Sequence, residues 1–509
     1  MNIQRMSARH ERNSQTLPSK LVTLLFLVAA VMFGGAVLAA AQTDSTAGYE
    51  QEPAVQPAIT FTTLVNFDGT NGAYPGRPPH QGLNGNLYGA AAGGANGGGI
   101  LFEMTPAGTL TTLYNFCPET GCDDGSNPTA LFLGADGNVY GETTGGGAFG
   151  YGSLFKFTGS GVPTTLHSFD GTDGSTPGDR MVQVGNGHFY GTTFSGGNLS
   201  ECSGNGCGTI FQMTPGGTLT SLYDFCSLPD CADGAAVYES LAQGPDGDFY
   251  GATFGGGAGN SGTIFKITPT GTLTTLYSFC VVSYPFCYDG SNPIGPVSGN
   301  DGNFYGTTAS GGANSQGSIF KITPSGTLTT IYSFCAQITC PDGSDARNSM
   351  ILGSDGNFYG TTYYGGASNE GTVFKITPAG VLTTLHSFDG TDGYDQIGVM
   401  FQATDGIFYG QTILGGSNGD GTIFSLSVGL RPFVELLATS GKVGTKVIIL
   451  GNNLKGTTSV TFNGTAATFT VVSSTEITTT VPAGATTGTV KVTTPTATLG
   501  SIVNFRVAS

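Results

Sequence analysis

The chain has 509 residues, 85 of them Gly, with 10% charged side chains, no Trp and a formal charge of −17. Its length accommodates several packed domains or one large repeat domain with an appendage, and glycine interleaved with Thr and aromatic residues favours short strands and tight turns over helices. With acidic groups in excess and no Lys/Arg stripe, nucleic-acid binding is excluded as a function class, and attraction to anionic lipid is disfavoured for the same reason.

The N-terminus carries Arg5, Arg9, Arg12 and Lys20, then an apolar run over residues 21–41 that ends in Ala39-Ala40-Ala41. This predicts a secretory signal over residues 1–41. The run is long enough to span a bilayer, so an uncleaved membrane anchor is the alternative, and it is the one route by which a membrane would be a partner. Either way the remainder is secreted or held at the cell surface, outside the cytoplasm. Removing residues 1–41 takes out four basic groups and one acidic group, which leaves −20. Residues 42–58 read as a linker.

From residue 59 a pattern recurs. The segment Gly271-Thr-Leu-Thr-Thr-Leu-Tyr-Ser-Phe279 has close copies at 109–116, 218–225 and 327–334, with looser ones beginning at Ile59, Val162 and Val381. Each copy is followed by an Asp-Gly loop, a short semi-apolar run, an Asp-Gly-Asn-Phe-Tyr-Gly-Thr-Thr type segment, a glycine cluster and Gly-Thr-Ile-Phe-Lys-Ile-Thr-Pro. Tyr88, Tyr140, Tyr190, Tyr250, Tyr305, Tyr359 and Tyr409 mark seven repeats of roughly 50 residues, a period typical of propellers and related arrays.

Every repeat offers four strands: a first before Asp-Gly-Asn, a second at Phe-Tyr-Gly-Thr-Thr, a third at Ile-Phe-Lys-Ile-Thr and a fourth at Leu-Thr-Thr-Leu-Tyr-Ser-Phe. Turns such as Asp355-Gly356-Asn357 and Pro324-Ser325-Gly326 are short enough for antiparallel hairpins, so each repeat reads as a four-stranded antiparallel blade. The array opens at Ile59 with a fourth strand that has no predecessors and stops near Val428 with a third strand that has no successor. Pairing these two ends removes two exposed edges and closes a seven-bladed β-propeller over residues 59–429. An open solenoid is the alternative.

In such a blade the first-to-second and third-to-fourth turns share one face, and the longer second-to-third and fourth-to-first links share the other. Ten cysteines form five close pairs, Cys117 with Cys122, Cys202 with Cys207, Cys226 with Cys231, Cys280 with Cys287 and Cys335 with Cys340, all in the longer links. Local disulfides in an oxidising compartment are expected, pre-ordering loop shape. A metal site is the competing reading, but zinc ligands come as closer Cys-x-x-Cys knuckles or with histidines.

The repeat resembles the bacterial GloVer tandem-repeat family over about residues 59–429, through the three motifs quoted above. The resemblance implies export and a repeat scaffold, and no defined activity; the strand order is similar to that of NHL-type propellers in architecture alone. From Arg431 onward the repeats cease. Gly441-Lys-Val-Gly-Thr445, Val447-Ile-Ile-Leu-Gly-Asn-Asn-Leu454, Val460-Thr-Phe-Asn-Gly464, Val481-Pro-Ala-Gly-Ala485 and Val490-Lys-Val-Thr-Thr-Pro495 resemble an IPT/TIG domain, which implies an immunoglobulin-like β-sandwich over residues 430–509.

No catalytic constellation stands out. His167 and His386 occupy the tyrosine position of fourth strands, no Ser, His and Asp set stands in a recognisable catalytic context, and clusters such as Gly93-Gly94-Ala-Asn-Gly97 lack the helix and Lys-Ser/Thr of a phosphate loop. Paired aspartates, Asp170 with Asp173 and Asp389 with Asp392, offer too few oxygens for calcium within one loop and read as turn chemistry. Lys156, Lys266, Lys321 and Lys375 repeat with the blade and read as a solvated edge. Polar residues near the start of first strands would ring the channel mouth: Arg77, His80, Asp179, Arg180, Glu239 and Arg347 are the candidate ligand contacts. No metal and no cofactor is expected. The sequence thus reads as a non-enzymatic extracellular binding or scaffold protein that meets a glycan, a protein or an envelope component with its disulfide-stapled face. A polysaccharide hydrolase or lyase at the channel mouth is the alternative, and it requires two inward carboxylates.

Overall fold

The computed structural model describes residues 58–508 apart from 120, 159–161, 179, 186, 238, 282–285 and 397. The signal segment, most of the linker and Asp179 lie outside the described residues. The fold is all-β: two three-residue 3-10 turns, Cys202–Gly204 and Pro229–Cys231, are the helical elements among the described residues. No helix there is long and apolar enough to cross a membrane.

Alternation of small, apolar and hydroxyl side chains between glycine-bearing turns builds one antiparallel sheet per repeat. In the first, Ala73–Gln81, Leu87–Ala92, Ile100–Met104 and Leu110–Asn115 pair in chain order; the same order runs through Ser126–Leu133, Val139–Gly145, Ser153–Phe157 and Thr164–Ser168, and onward to Ile351–Leu352, Phe358–Thr362, Thr372–Ile376 and Leu382–Ser387. One sheet differs, because Ser175–Pro177 and Val182–Gln183 both pair with Phe189–Ser195. The last sheet holds Phe401–Gln402, Phe408–Thr412 and Thr422–Ser427, and its fourth strand is Thr60–Asn66 from the start of the array, paired antiparallel from Thr60 opposite Ser427 to Asn66 opposite Thr422 with one register shift between Thr63 and Val65. The two ends of the array are therefore hydrogen-bonded to each other, and the result is propeller-like.

The repeat motifs now have physical reasons. At five of the seven junctions the tyrosine of a second strand packs on the phenylalanine of the next repeat's second strand, with ring centroids 4.0 Å apart for Tyr250 and Phe304 and 4.3 Å for Tyr305 and Phe358, so aromatic packing joins neighbouring sheets; Val139 and Leu87 take the phenylalanine's place beside Tyr88 and Tyr409. Tyr409, Phe401 and Ile423 share a core with Leu87, Ile100 and Phe102, which continues the packing across the junction of the ends. Glycine follows that tyrosine because the third-strand phenylalanine lies over it: a Cβ on Gly360 would stand 2.6 Å from Phe374 Cζ. Gly360→Ala should accordingly cost about 1–2 kcal/mol by forcing a packed ring to move, seen as a lower urea midpoint; an unchanged midpoint would show that the ring has room.

The Thr-Thr pair is equally local. Thr308 Oγ1 and Ser318 Oγ, 2.9 Å apart and fully buried, satisfy each other across the second and third strands, and Thr308 Oγ1 also accepts the Ser318 N–H. The Asp-Gly glycine sits directly above: Gly290, at φ +103°, leaves no room for a side chain 2.6 Å from Thr308 Oγ1. The aspartate before it ties the loop to the fourth strand. Tyr223 Oη donates to Asp233 at 2.8 Å, Tyr332 Oη to Asp342 at 2.7 Å, and His386 Nε2 lies 2.6 Å from Asp392. Burial and the adjacent carboxylate push the tyrosine hydroxyls upward, to about 12 for Tyr114 and Tyr277.

Residues beyond the repeats form two further sheets, Glu435–Leu436, Lys446–Leu450, Glu476–Thr480 and Phe469–Val471 in one and Thr465–Ala466, Ser459–Phe462, Val490–Thr493 and Thr498–Gly500 in the other, around a shared apolar core that includes Ile449, Phe462, Val492 and Phe505. This module belongs to the same compact unit as the repeats, and it docks on their first-to-second turns. Thr475 Oγ1 donates to Leu83 O at 2.6 Å, Phe433 N to Thr404 O at 3.0 Å and Asn452 Nδ2 to Thr404 Oγ1 at 2.7 Å. Gly185 faces Ser440 and Gly247 faces Arg506 so closely that neither would tolerate a Cβ without a shift.

Candidate functional site

First strands of the repeats surround a central cavity of about 440 Å³, and the docked module forms part of its wall. Leu241, Val297, Met350, Ile351, Met400 and Phe401 supply apolar surface from the repeats; Phe433, Leu436, Ile502 and Val503 supply it from the module. The sequence treats the module as an appendage, whereas the structure places it over the turn face, where it closes that side of the cavity.

Of the six candidate contacts, Arg77, His80 and Arg180 line the cavity. Glu239 stands beside it and meets Arg77: Nη1 is 3.5 Å from Glu239 Oε1, Nη2 donates to Gly178 O at 3.4 Å, and the side chains are 11% and 3% exposed. This pair links the first repeat to the fourth. Arg180 Nη1 lies 3.1 Å from His80 Nε2, and the His80 ring packs 4.4 Å from that of Phe401. Glu435, which the sequence reading missed, enters from the module and lines the same space. Desolvation pushes its carboxyl up to about 7, against the opposing pull of Arg180. Nothing in the repeat pattern points to Glu435, because its neighbours come from hundreds of residues away.

Arg347 departs from the expected ring: it does not line the cavity. It forms an ion pair with Asp345, Nη2 to Oδ2 2.7 Å, and lies 5.0 Å from the Tyr363 ring centroid. The cause is local. The adjacent Asn348 takes the inward position and bonds Thr361 Oγ1 and Gln396 O, while Arg347 points outward. Asp395 joins this cluster, with burial raising its carboxyl against the lowering effects of Tyr363 and Arg347.

All five cysteine pairs form disulfides, and these fit an extracytoplasmic protein. Each lies in a second-to-third or fourth-to-first link. Nine of the ten cysteines have φ between 44° and 63°, a region that disfavours residues with a Cβ, so the cross-links hold backbone shapes the free chain would leave. Of the exposed Phe and Tyr side chains among the described residues, Phe149, Tyr151, Phe286, Tyr288 and Tyr364 lie in such links and Tyr74 at the start of the strand Ala73–Gln81. In the short loops the first aspartate is consumed by its own turn, Asp170 Oδ1 accepting from Thr172 N at 2.8 Å and Thr172 Oγ1 at 2.7 Å, while Asp173 bonds His167. The lysines are not simply solvated: Lys156 pairs with Asp136 and Lys321 with Asp301, at 2.9 and 2.8 Å, pinning the first-to-second turns.

Fold and cavity together define a class: an all-β tandem-repeat protein whose sheets surround a central space. The chain belongs to the Gloeobacter/Verrucomicrobia repeat family, whose profile matches residues 52–231, 123–285 and 281–472. No curated protein matches. Among solved structures, a gluconolactonase from Xanthomonas campestris is similar at 13% identity over 73% of this chain and 90% of that one, with a TM-score of 0.37. A PQQ-bound aldose sugar dehydrogenase from Streptomyces coelicolor shares 14% identity over 73% and 98%, TM-score 0.35, and a luciferin-regenerating enzyme 11% over 74% and 98%, TM-score 0.34. At these values the likenesses carry no argument about ligand or chemistry.

Proposed function

We propose that this is an exported, non-enzymatic binding protein: a closed seven-bladed propeller with an IPT/TIG-like sandwich, which contacts a surface glycan through its stapled loop face. One observation carries the reading. The exposed aromatic side chains and every disulfide share the loop face, while the module occupies the turn face. Aromatic faces stack on the C–H surfaces of sugar rings, and cross-linked loops present them at little ordering cost. Few cations stand nearby, which favours a neutral glycan over an anionic one. Co-sedimentation of the mature protein with insoluble neutral polysaccharides and with envelope fractions tests this. Binding should fall at least about ten-fold in a Phe149→Ala/Tyr288→Ala/Tyr364→Ala variant, as for truncated interface anchors, and again after reduction of the cysteines. Retention of binding through both treatments, or capture by envelope protein alone, overturns the glycan reading.

A further inference from the structure

The central cavity is a second site, independent of the loop face. We infer that it binds a small apolar monocarboxylate, with its chain along the Leu241, Val297, Met350 and Ile351 wall and its head group at Arg180. The argument starts from volume. About 440 Å³ is within the range of pockets that enclose small molecules, and a largely apolar lining with a few converging polar groups is the usual make-up of such a pocket. The apolar surface comes from two sources, the repeats and the docked module.

Charge then selects the head group. Arg77 is engaged with Glu239 and Gly178. Arg180 directs Nη1 at His80, lines the cavity and is exposed there. A guanidinium presents five donors in a planar fork that suits a carboxylate. Glu435 lies in the same cavity and feels Arg180 electrostatically. A dianion such as a phosphate monoester would meet both Glu435 and the nearby Glu239, whereas a single negative charge balances Arg180. A zwitterion or sugar would leave most of the lining apolar against polar groups, at a desolvation cost. A monoanion with a hydrocarbon body satisfies both ends.

Isothermal titration calorimetry of the full mature chain with decanoate tests the inference, with 1-decanol as the uncharged comparison. Saturable one-site binding is expected, with decanol weaker by about ten-fold or more, the usual scale of a lost charge-assisted hydrogen bond. Arg180→Gln should weaken decanoate by a similar factor and leave decanol unchanged. Ile351→Trp should abolish both by filling the space. Each variant's thermal unfolding is recorded, and Arg180→Gln with a wild-type transition keeps the test valid if the tryptophan variant misfolds. Absence of saturable decanoate binding overturns the inference, as does equal affinity for decanol and decanoate. Loss of glycan binding in the loop-face variants would leave this result untouched, so the two readings fail separately.

Discussion

Arg77→Met should destabilise the protein by about 3–5 kcal/mol, the usual cost of removing one partner of a buried ion pair. The pair spans the cavity between the first and fourth repeats, and Glu239 is 3% exposed, so its carboxylate cannot turn to bulk water when the guanidinium is lost. Methionine keeps most of the Arg77 stem's packing and removes the charge together with the donor to Gly178 O. The companion double variant Arg77→Met/Glu239→Gln should recover most of the loss, because a neutral amide carries a far smaller burial penalty than a carboxylate. Urea unfolding of the two variants and the wild type gives the comparison. A single variant within about 0.5 kcal/mol of wild type, the usual range of surface changes, would show that the pair contributes nothing as a cross-cavity tie.

The period of the array is legible because each repeat's core is local: Tyr250 finds Phe304, and Gly360 lies under Phe374, at fixed offsets. A second local signal lies in the fourth strands. Fourth strands carry Tyr114, His167, Tyr223, Tyr277, Tyr332 and His386, and each is followed by an Asp-Gly whose carboxylate it contacts, at Asp124, Asp173, Asp233, Asp289, Asp342 and Asp392. The strand that opens the array and completes the last sheet has Val65, which cannot donate, and there Asn71 replaces the aspartate. The histidines therefore stand where tyrosine does because both present a donor at that height. The cavity was only half legible. Arg77, His80 and Arg180 follow from counting along first strands, but Arg347 is displaced by its neighbour Asn348, and the wall made by Phe433, Glu435 and Ile502 depends on docking between segments far apart in sequence. Periodicity says nothing about which face such a module will choose.

Glu435→Gln should stabilise the protein at pH 8 by about 2–3 kcal/mol and do almost nothing at pH 4. The direction follows from the sign of the shift. Burial raises the Glu435 carboxyl from its ordinary 4.5 to about 7 in the folded state, so between those values the folded chain holds a proton the unfolded chain has released. Stability contributed by this group is therefore intact below about 4.5, falls as pH rises through the interval, and reaches its full deficit above about 7. At about 1.4 kcal/mol per pKa unit the deficit is about 3 kcal/mol, trimmed by the carboxyl's residual contact with the cavity space. Glutamine keeps the shape and removes the charge, so the stabilities of variant and wild type should diverge with pH along that curve. Asp395, Asp405 and Glu476 are shifted the same way by burial, but they are common to both proteins and cancel in the difference. Urea midpoints at pH 4, 6 and 8 are sufficient. A constant difference across that range would mean that Glu435 stays solvated, and with it the idea that the module seals this side of the cavity would fall.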